Sequence, residues 1–158
     1  MTMPPGISVV QHGDVLVLAG AIDDTCTLLE LLPYARHRRL VLDLGGITFI
    51  NSLGLRNWIR LQNAAQRAGV TVELHRVAEP LIQQMNMITT ARGHARVVSF
   101  FAPYACDACG QEASLLIDAV THAQGLARLE PPAIVCAECG AMMVFNDFPE
   151  RYFSFLSV

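Results

Sequence analysis

The sequence predicts an α/β fold, in which a mixed, largely parallel sheet carries helices and is followed by a small C-terminal unit. Three observations lead to this prediction. Strand-like runs alternate with helical patterns between residues 7 and 101. Four of the five cysteines follow residue 101 as two Cys-x2-Cys pairs. Apolar residues make up 53% of the chain and charged residues 16%, so a core can be buried. We predict two domains, residues 1–101 and residues 102–158.

The elements of the first domain are predicted from periodicity and from turn residues. Strands are expected at 7–10, 15–19, 40–44, 70–74 and 97–101. Three helices alternate with them: one from Asp24 or Thr25 to Pro33, one over 53–68, and one from Glu79-Pro80 to about Ile88. Pro33 kinks or ends the first helix because it lacks an N–H, and Gly69 supplies the stop after the second. Strands in this alternating order pair largely in parallel.

The C-terminal unit is expected to be small and rich in aromatic residues. Strands are predicted at 115–120 and 142–145. A last helix starts at Pro149, and one of its faces carries Phe148, Tyr152, Phe155 and Leu156. Eight of the eleven aromatic residues lie between Phe100 and Phe155. Because so small a unit cannot bury them alone, we expect it to dock on the first sheet, or on a second copy in a homodimer.

An Asn-Ser pair stands where the second helix begins. Asn51 and Ser52 follow a predicted strand and a predicted tight turn, and either side chain suits the cap position because its oxygen accepts an orphan backbone N–H. A phosphate on Ser52 would also be favoured there, at the positive end of the helix dipole. The residue therefore has two interpretations, a structural cap and a charge switch.

The helix over 53–68 has one apolar and one basic face. Leu55, Trp58, Ile59 and Ala65 recur at helical spacing and are expected to pack on the sheet. A second row at helical spacing is polar and basic, and it consists of Arg56, Arg60, Asn63 and Arg67. This basic stripe is either an ordinary solvated face or a docking surface for a partner that begins one turn from Ser52.

The order of elements and three local motifs resemble the STAS domain, the fold of bacterial anti-sigma-factor antagonists. The motifs are Gly20-Ala21-Ile22-Asp23, the stretch 40–49, and the loop Ile50-Asn51-Ser52-Leu53-Gly54-Leu55. The resemblance covers residues 7–101. It implies that Ser52 is the phosphoacceptor of a partner kinase, and that a kinase or sigma-regulating protein binds the unmodified domain and is released on phosphorylation. Asn51 and Leu53 depart from the aspartate and second serine of the family loop. Some members of the family are accessory subunits of lipid-transport systems, which is an alternative role.

The cysteine pairs predict a metal site. Cys106, Cys109, Cys136 and Cys139 can supply four thiolates in tetrahedral geometry, and a glycine follows each pair. The spacing and the Cys-Gly ends resemble a zinc ribbon, which implies one structural zinc ion per chain. An iron–sulfur centre and a thiol oxidoreductase using one pair are alternatives, and disulfides are not expected without an export signal. Cys26 is expected to be a small buried residue.

Charge and composition limit the function. Residues 102–158 carry a net charge of −5 against +2 for residues 1–101, so a nucleic-acid or RNA-polymerase contact through the ribbon is a less favoured alternative. No apolar run is long enough for a membrane span, and the start is not a signal peptide, so a cytoplasmic location is expected. No catalytic constellation is present. We therefore predict a non-enzymatic regulatory or scaffolding protein that binds a protein partner.

Overall fold

The computed structural model of the chain describes residues 6–156 and has the predicted α/β architecture. The strands are β1 Ile7–His12, β2 Val15–Ile22, β3 Arg39–Ile50, β4 Thr71–His75, β5 Arg96–Val97, β6 Ser99–Ala105, β7 Glu112–Asp118, β8 Ile134–Val135 and β9 Met142–Phe145. The α-helices are α1 Ser52–Arg67, α2 Glu79–Met87, α3 Thr89–Arg92, α4 Ala123–Ala127 and α5 Pro149–Tyr152. Two 3₁₀ helices cover Leu28–Tyr34 and Phe153–Leu156.

The first sheet contains β1 to β5 in sequence order. β1 runs antiparallel to β2, and each following neighbour pair is parallel, so the prediction of a mixed, largely parallel sheet is confirmed. The core side chains of β3 alternate as Leu40, Leu42 and Leu44, and they share the core with Trp58 and Leu61 of α1. Because β3 leads directly into α1, the start of this helix lies at the carboxyl edge of the parallel strands.

The second sheet is antiparallel, in the order β7-β6-β9-β8, and it is joined to the first. Val77, two residues beyond the end of β4, forms a parallel bridge with Phe100 of β6. The N–H of Val98 donates to the carbonyl of Leu74 at 2.8 Å. Buried residues on both sides of residue 101 form one hydrophobic cluster. The predicted boundary between residues 101 and 102 falls inside β6.

The C-terminal aromatic residues pack against the first part of the chain. The rings of Phe100 and Phe155 make an edge contact with centroids 5.1 Å apart. The hydroxyl of Tyr152 donates to the carbonyl of Phe101 at 2.6 Å. On α2, the amide of Asn86 donates to the Tyr152 carbonyl at 3.0 Å and accepts from the Ser154 hydroxyl at 2.8 Å. Of the two expected docking surfaces, these residues therefore contact the chain's own first part, and the homodimer stays a prediction.

The predicted strand 97–101 is wrong as a single element. Val97 ends β5 in the first sheet, whereas Phe100 and Phe101 belong to β6 in the second. Between them the N–H of Val98 bonds to Leu74, and its carbonyl accepts from Ala119 at 2.8 Å. The chain thus changes sheets at Val98 because each side of this residue pairs with a different strand.

The predicted start of the first helix at Asp24 or Thr25 is also wrong. The carboxylate of Asp23 accepts the N–H of Thr25 at 2.9 Å, and this local turn competes with helix formation. The helix begins at Leu28 as a 3₁₀ helix and contains Pro33, which cannot make the i→i−4 hydrogen bond of an α-helix.

The last helix is shorter than predicted, and one side chain faces the wrong way. α5 ends at Tyr152, and the second 3₁₀ helix continues from it. Tyr152 and Phe155 are buried as expected, but Phe148 is 66% exposed and lies 6.0 Å from the Arg151 guanidinium. Phe148 precedes the helix with extended backbone, so it does not share the helical face. Among residues 6–156, no helix combines the length and apolarity needed to cross a bilayer.

Candidate functional site

Two cysteine loops of the same design face each other beside the second sheet. In the first, the Gly110 N–H donates to the Cys106 carbonyl at 2.8 Å, and the Cys106 N–H donates to the Gln111 carbonyl at 2.8 Å. The second loop repeats both bonds between Gly140 and Cys136, at 2.9 Å, and between Cys136 and Ala141, at 2.7 Å. Each turn closes through its glycine, whose φ is +79° in Gly110 and +78° in Gly140.

The four thiol sulfurs lie at the spacing of a tetrahedral metal site. All four Sγ atoms are within 4.8 Å of one another. Cys106 and Cys139 are 3.5 Å apart, and Cys109 and Cys136 are 3.7 Å apart. A tetrahedron with metal–sulfur bonds of about 2.3 Å has edges of about 3.8 Å, whereas a disulfide requires about 2.05 Å. The cluster can therefore bind a metal ion without large rearrangement.

Burial and backbone amides also suit a closed metal site. The first cysteine of each loop is buried and the second is exposed. The backbone N–H of Cys109 hydrogen-bonds to the Cys106 thiol, and this lowers the pKa of Cys106 to about 7, whereas burial and the neighbouring thiols raise the pKa of Cys109 to about 12 and also raise that of Cys139. A lower pKa favours the thiolate, which is the form that binds metals. Because four sulfurs fill a tetrahedral shell, the donor set suits a structural ion, with no position left for a substrate.

Asn51, and not Ser52, caps α1. The Asn51 side chain accepts the N–H of Gly54 at 2.8 Å, and its own backbone is extended. Ser52 is the first helical residue, and its side chain is exposed. Ile50 and Leu55 are both buried, which is the pairing of a hydrophobic staple around the cap. The hydroxyl of Ser52 is thus not needed to begin the helix.

Gly54 lets the start of α1 lie directly against the end of β2. A Cβ atom at this position would be 2.0 Å from the Ile22 carbonyl oxygen and 2.8 Å from the Asp23 nitrogen. Both are backbone atoms, which cannot move aside as the end of a flexible side chain can. The helix start and the end of β2 are therefore fixed relative to each other, and Ser52 lies on this rigid junction.

The basic stripe is exposed along the whole of α1. Arg56, Arg60, Asn63 and Arg67 are all exposed, and Ile59, which was expected to pack on the sheet, is partly buried. The cysteine cluster lies in the turns between β6 and β7 and between β8 and β9, whereas the stripe and Ser52 belong to the first part of the chain. The predicted site residues thus form two groups, one for metal and one at the helix.

Three apolar residues near the helix start were missed by the sequence analysis. Phe49 is 52% exposed, Leu53 is 47% exposed and Leu29 is 44% exposed. Leu29 belongs to the groove between the first 3₁₀ helix and α1, which Asn57 and Arg60 also line. The sequence did indicate that Leu53 is exposed, since this residue lies off the apolar helix face formed by Leu55 and Trp58. For Phe49 no such signal existed, because the alternation of side chains along the strand did not indicate whether this side chain faces the core or the solvent.

The cap assignment predicts different stabilities for two neighbouring substitutions. Asn51→Ala removes the side-chain acceptor of Gly54, and we expect it to lower the free energy of unfolding by about 1 kcal/mol. Ser52→Ala removes an exposed hydroxyl and is expected to change it by less than about 0.5 kcal/mol. Urea unfolding of both variants and of the wild type measures the two values. A larger loss for Ser52→Ala would contradict the cap assignment.

Comparison with known proteins leaves the family open. No protein-family model matches the chain. A comparison with curated proteins finds no significant match either. The STAS resemblance therefore rests on the sequence motifs and the order of elements alone.

Proposed function

We propose that the protein is a non-enzymatic regulatory or scaffolding protein of the STAS type, which binds a protein partner at the start of α1. Phosphorylation of Ser52 is proposed to release that partner, which we take to be a kinase or a sigma-regulating protein. The observation that carries the proposal is the exposed Ser52 hydroxyl next to a cap formed by Asn51 alone. Because the Ser52 hydroxyl does not cap the helix, Ser52 can be modified without unfolding it.

The physical effect of a phosphate at this position supports a switch. The group adds a charge of about −1.5 to −2 and is favoured locally by the helix dipole. Exposed Phe49 and Leu53 flank the site and offer apolar area to a partner. A phosphate inside such an interface must be paired or desolvated, so an interface that is stable without it is lost.

We propose that the cysteine cluster holds one structural zinc ion. Its four ligands are Cys106, Cys109, Cys136 and Cys139, and their thiolate chemistry suits Zn²⁺ better than harder cations. Bound zinc would connect the two loops and hold β6, β8 and β9 in register. The ribbon then stiffens the second sheet and does not itself carry out a reaction. We further propose a cytoplasmic protein that does not bind nucleic acid.

The proposal is tested by comparing Ser52→Asp with Ser52→Ala. Asp at the first helical position is favourable for the dipole, so loss of binding cannot be ascribed to unfolding. We expect proteins captured from source cells and identified by mass spectrometry to bind wild type and Ser52→Ala, and to bind Ser52→Asp at least about tenfold less.

Thr89→Asp is a matched control for this experiment. Thr89 is exposed and is the first residue of α3, so the substitution places the same charge at the start of another helix. It is expected to leave partner capture unchanged. Equal capture by wild type and Ser52→Asp would refute the switch, as would a failure to find phosphate on Ser52 in protein isolated from those cells.

A further inference from the structure

The exposed side of α1 carries cations and no carboxylate. The helix has sixteen residues and is about 24 Å long, and its sequence contains three arginines and no acidic residue. Arg56, Arg60 and Arg67 project from one exposed row together with Asn63. Ser52 begins the same row, because it precedes Arg56 by four residues. We call this row the cationic row.

These arginines differ from most of the others in the chain. Six arginine side chains contact an oxygen acceptor: Arg36 with Asp14, Arg39 with Glu73, Arg76 with Asp43, Arg92 with the Ser154 carbonyl, Arg128 with Glu130 and Arg151 with Asp147. In the part of the chain that the structure describes, five side chains have no such contact: Arg38, Arg56, Arg60, Arg67 and Arg96. Three of these five belong to the cationic row. Its charges are therefore available to an external anion.

Apolar side chains extend the surface at the start and side of the helix. Phe49 and Leu53 are exposed on either side of the Asn51 cap. A groove of about 190 Å³ runs between α1 and the first 3₁₀ helix, and exposed Leu29 and Arg60 line it together with one acidic residue, Asp24. Cations and apolar groups thus occur side by side, and a ligand that satisfies both must carry carboxylates and apolar side chains.

We propose that the cationic row, with Phe49, Leu53 and Leu29, is the docking surface for an acidic, amphipathic segment of a protein partner. This inference rests on the proposed function only in taking the partner to be a protein. Arg56, Arg60 and Arg67 take carboxylates of the segment, and the three apolar residues take its apolar side chains. Nucleic acid fits less well, since phosphates offer nothing to the apolar residues and the whole chain has a net charge of −3.

The position of Ser52 in the row explains how modification would act on such a partner. A phosphate on Ser52 lies one turn from Arg56, at the i, i+4 spacing that lets oppositely charged groups pair on a helix. It therefore occupies one cation of the row and places negative charge opposite the carboxylates of the partner. The partner is then released for two reasons: the phosphate repels its carboxylates, and the phosphate competes with those carboxylates for Arg56.

A display library of random 15-residue peptides, selected against the full-length protein, is a direct probe of this surface. We expect the selected sequences to be enriched in Asp and Glu interspersed with apolar residues. Their affinity, measured by fluorescence anisotropy, should fall at least about fivefold in the Arg56→Gln/Arg60→Gln variant, and should weaken as salt rises from about 50 to about 200 mM.

The chain provides a matched control for the charge change. Arg38→Gln/Arg96→Gln removes the same two charges from unpaired arginines outside the row, and is expected to change the affinity less than twofold. Ser52→Asp should weaken binding, and its effect should shrink when Arg56→Gln is already present, because the two residues act on each other. Far-UV circular dichroism of each variant checks that the fold is kept.

The outcomes separate this inference from the proposed function. Selected peptides without acidic enrichment, or equal weakening by both double variants, would overturn the docking surface. So would a 20-base-pair DNA duplex that binds the row more tightly than any selected peptide. Acidic peptides that depend on Arg56 and Arg60 support the surface even if Ser52→Asp leaves cellular partners bound, in which case only the switch fails.

Discussion

Cys106→Ser is expected to abolish metal binding and to unfold the two cysteine loops. Zinc content, measured by atomic emission, should fall from one ion per chain to background. A structural zinc ion contributes on the order of 10 kcal/mol of apparent binding free energy, which far exceeds what two turns of this size gain from their own contacts. Hydrogen exchange should therefore become fast in residues 106–111 and 136–141, where the bonds of both loops lie.

In Cys106→Ser, protection from hydrogen exchange should persist around Tyr152 and Phe155, near the end of the second unit. Tyr152 and Phe155 are held by Phe100, Phe101 and Asn86, which lie outside residues 106–111 and 136–141. Cys26→Ser is the matched control, because it replaces a buried cysteine outside the cluster whose thiol donates to the Ala21 carbonyl at 3.3 Å. It should keep one zinc ion per chain. A full zinc complement in Cys106→Ser would exclude the four-thiolate site.

Among the glycines of the first sheet and its helices, Gly54 is the one whose replacement by alanine is expected to destabilise the protein most. Alanine usually favours a helix over glycine by about 1 kcal/mol. Here the new methyl would lie 2.0 Å from the Ile22 carbonyl oxygen, so α1 must move away from β2. Overpacking against fixed atoms costs about 1–3 kcal/mol or more, and we expect a net loss of about 3 kcal/mol in the free energy of unfolding.

Gly125→Ala provides the comparison in another helix. A Cβ on Gly125, inside α4, would be 3.4 Å from the Glu130 carbonyl oxygen, which is ordinary contact. We expect this change to be neutral or stabilising by up to about 1 kcal/mol. Thermal and urea unfolding of both variants measure the difference. Equal stability of the two would mean that the start of α1 is not held against β2.

The parts of the fold that sequence reasoning predicted have local causes. α1 was expected because its apolar spacing, its cap and its Gly69 stop are each signals that act over about one helical turn, and the structure places it at Ser52–Arg67. The cysteine cluster was expected because two short loops fix the spacing of each sulfur pair, and the four sulfurs do come together. Within the helix, and within each cysteine pair, the residues that determine the structure are close together in sequence.

One error arises where distant residues decide, and the other two uncertainties arise where neighbouring groups compete. Nothing between Val97 and Phe101 indicates that Val98 pairs with Leu74 on one side and with Ala119 on the other. The apolar pattern of Leu28 to Leu32 suits an α-helix, but the Asp23 carboxylate and Pro33 limit it to a 3₁₀ helix. Composition could not decide whether Asn51 or Ser52 forms the cap, because the side-chain oxygen of either residue suits it. In the structure the Gly54 N–H donates to the side chain of Asn51.

The edge contacts of Phe100 have a consequence for the order of events during protein synthesis. Its ring packs against Phe153 and Phe155, which the ribosome adds more than fifty residues later. Until then Phe100 lacks these two ring contacts, and the second cysteine loop is completed only shortly before, at Gly140. The nascent chain therefore gains its last two cysteines and these aromatic contacts at nearly the same late moment, so that metal supply and completion of this packing coincide in time.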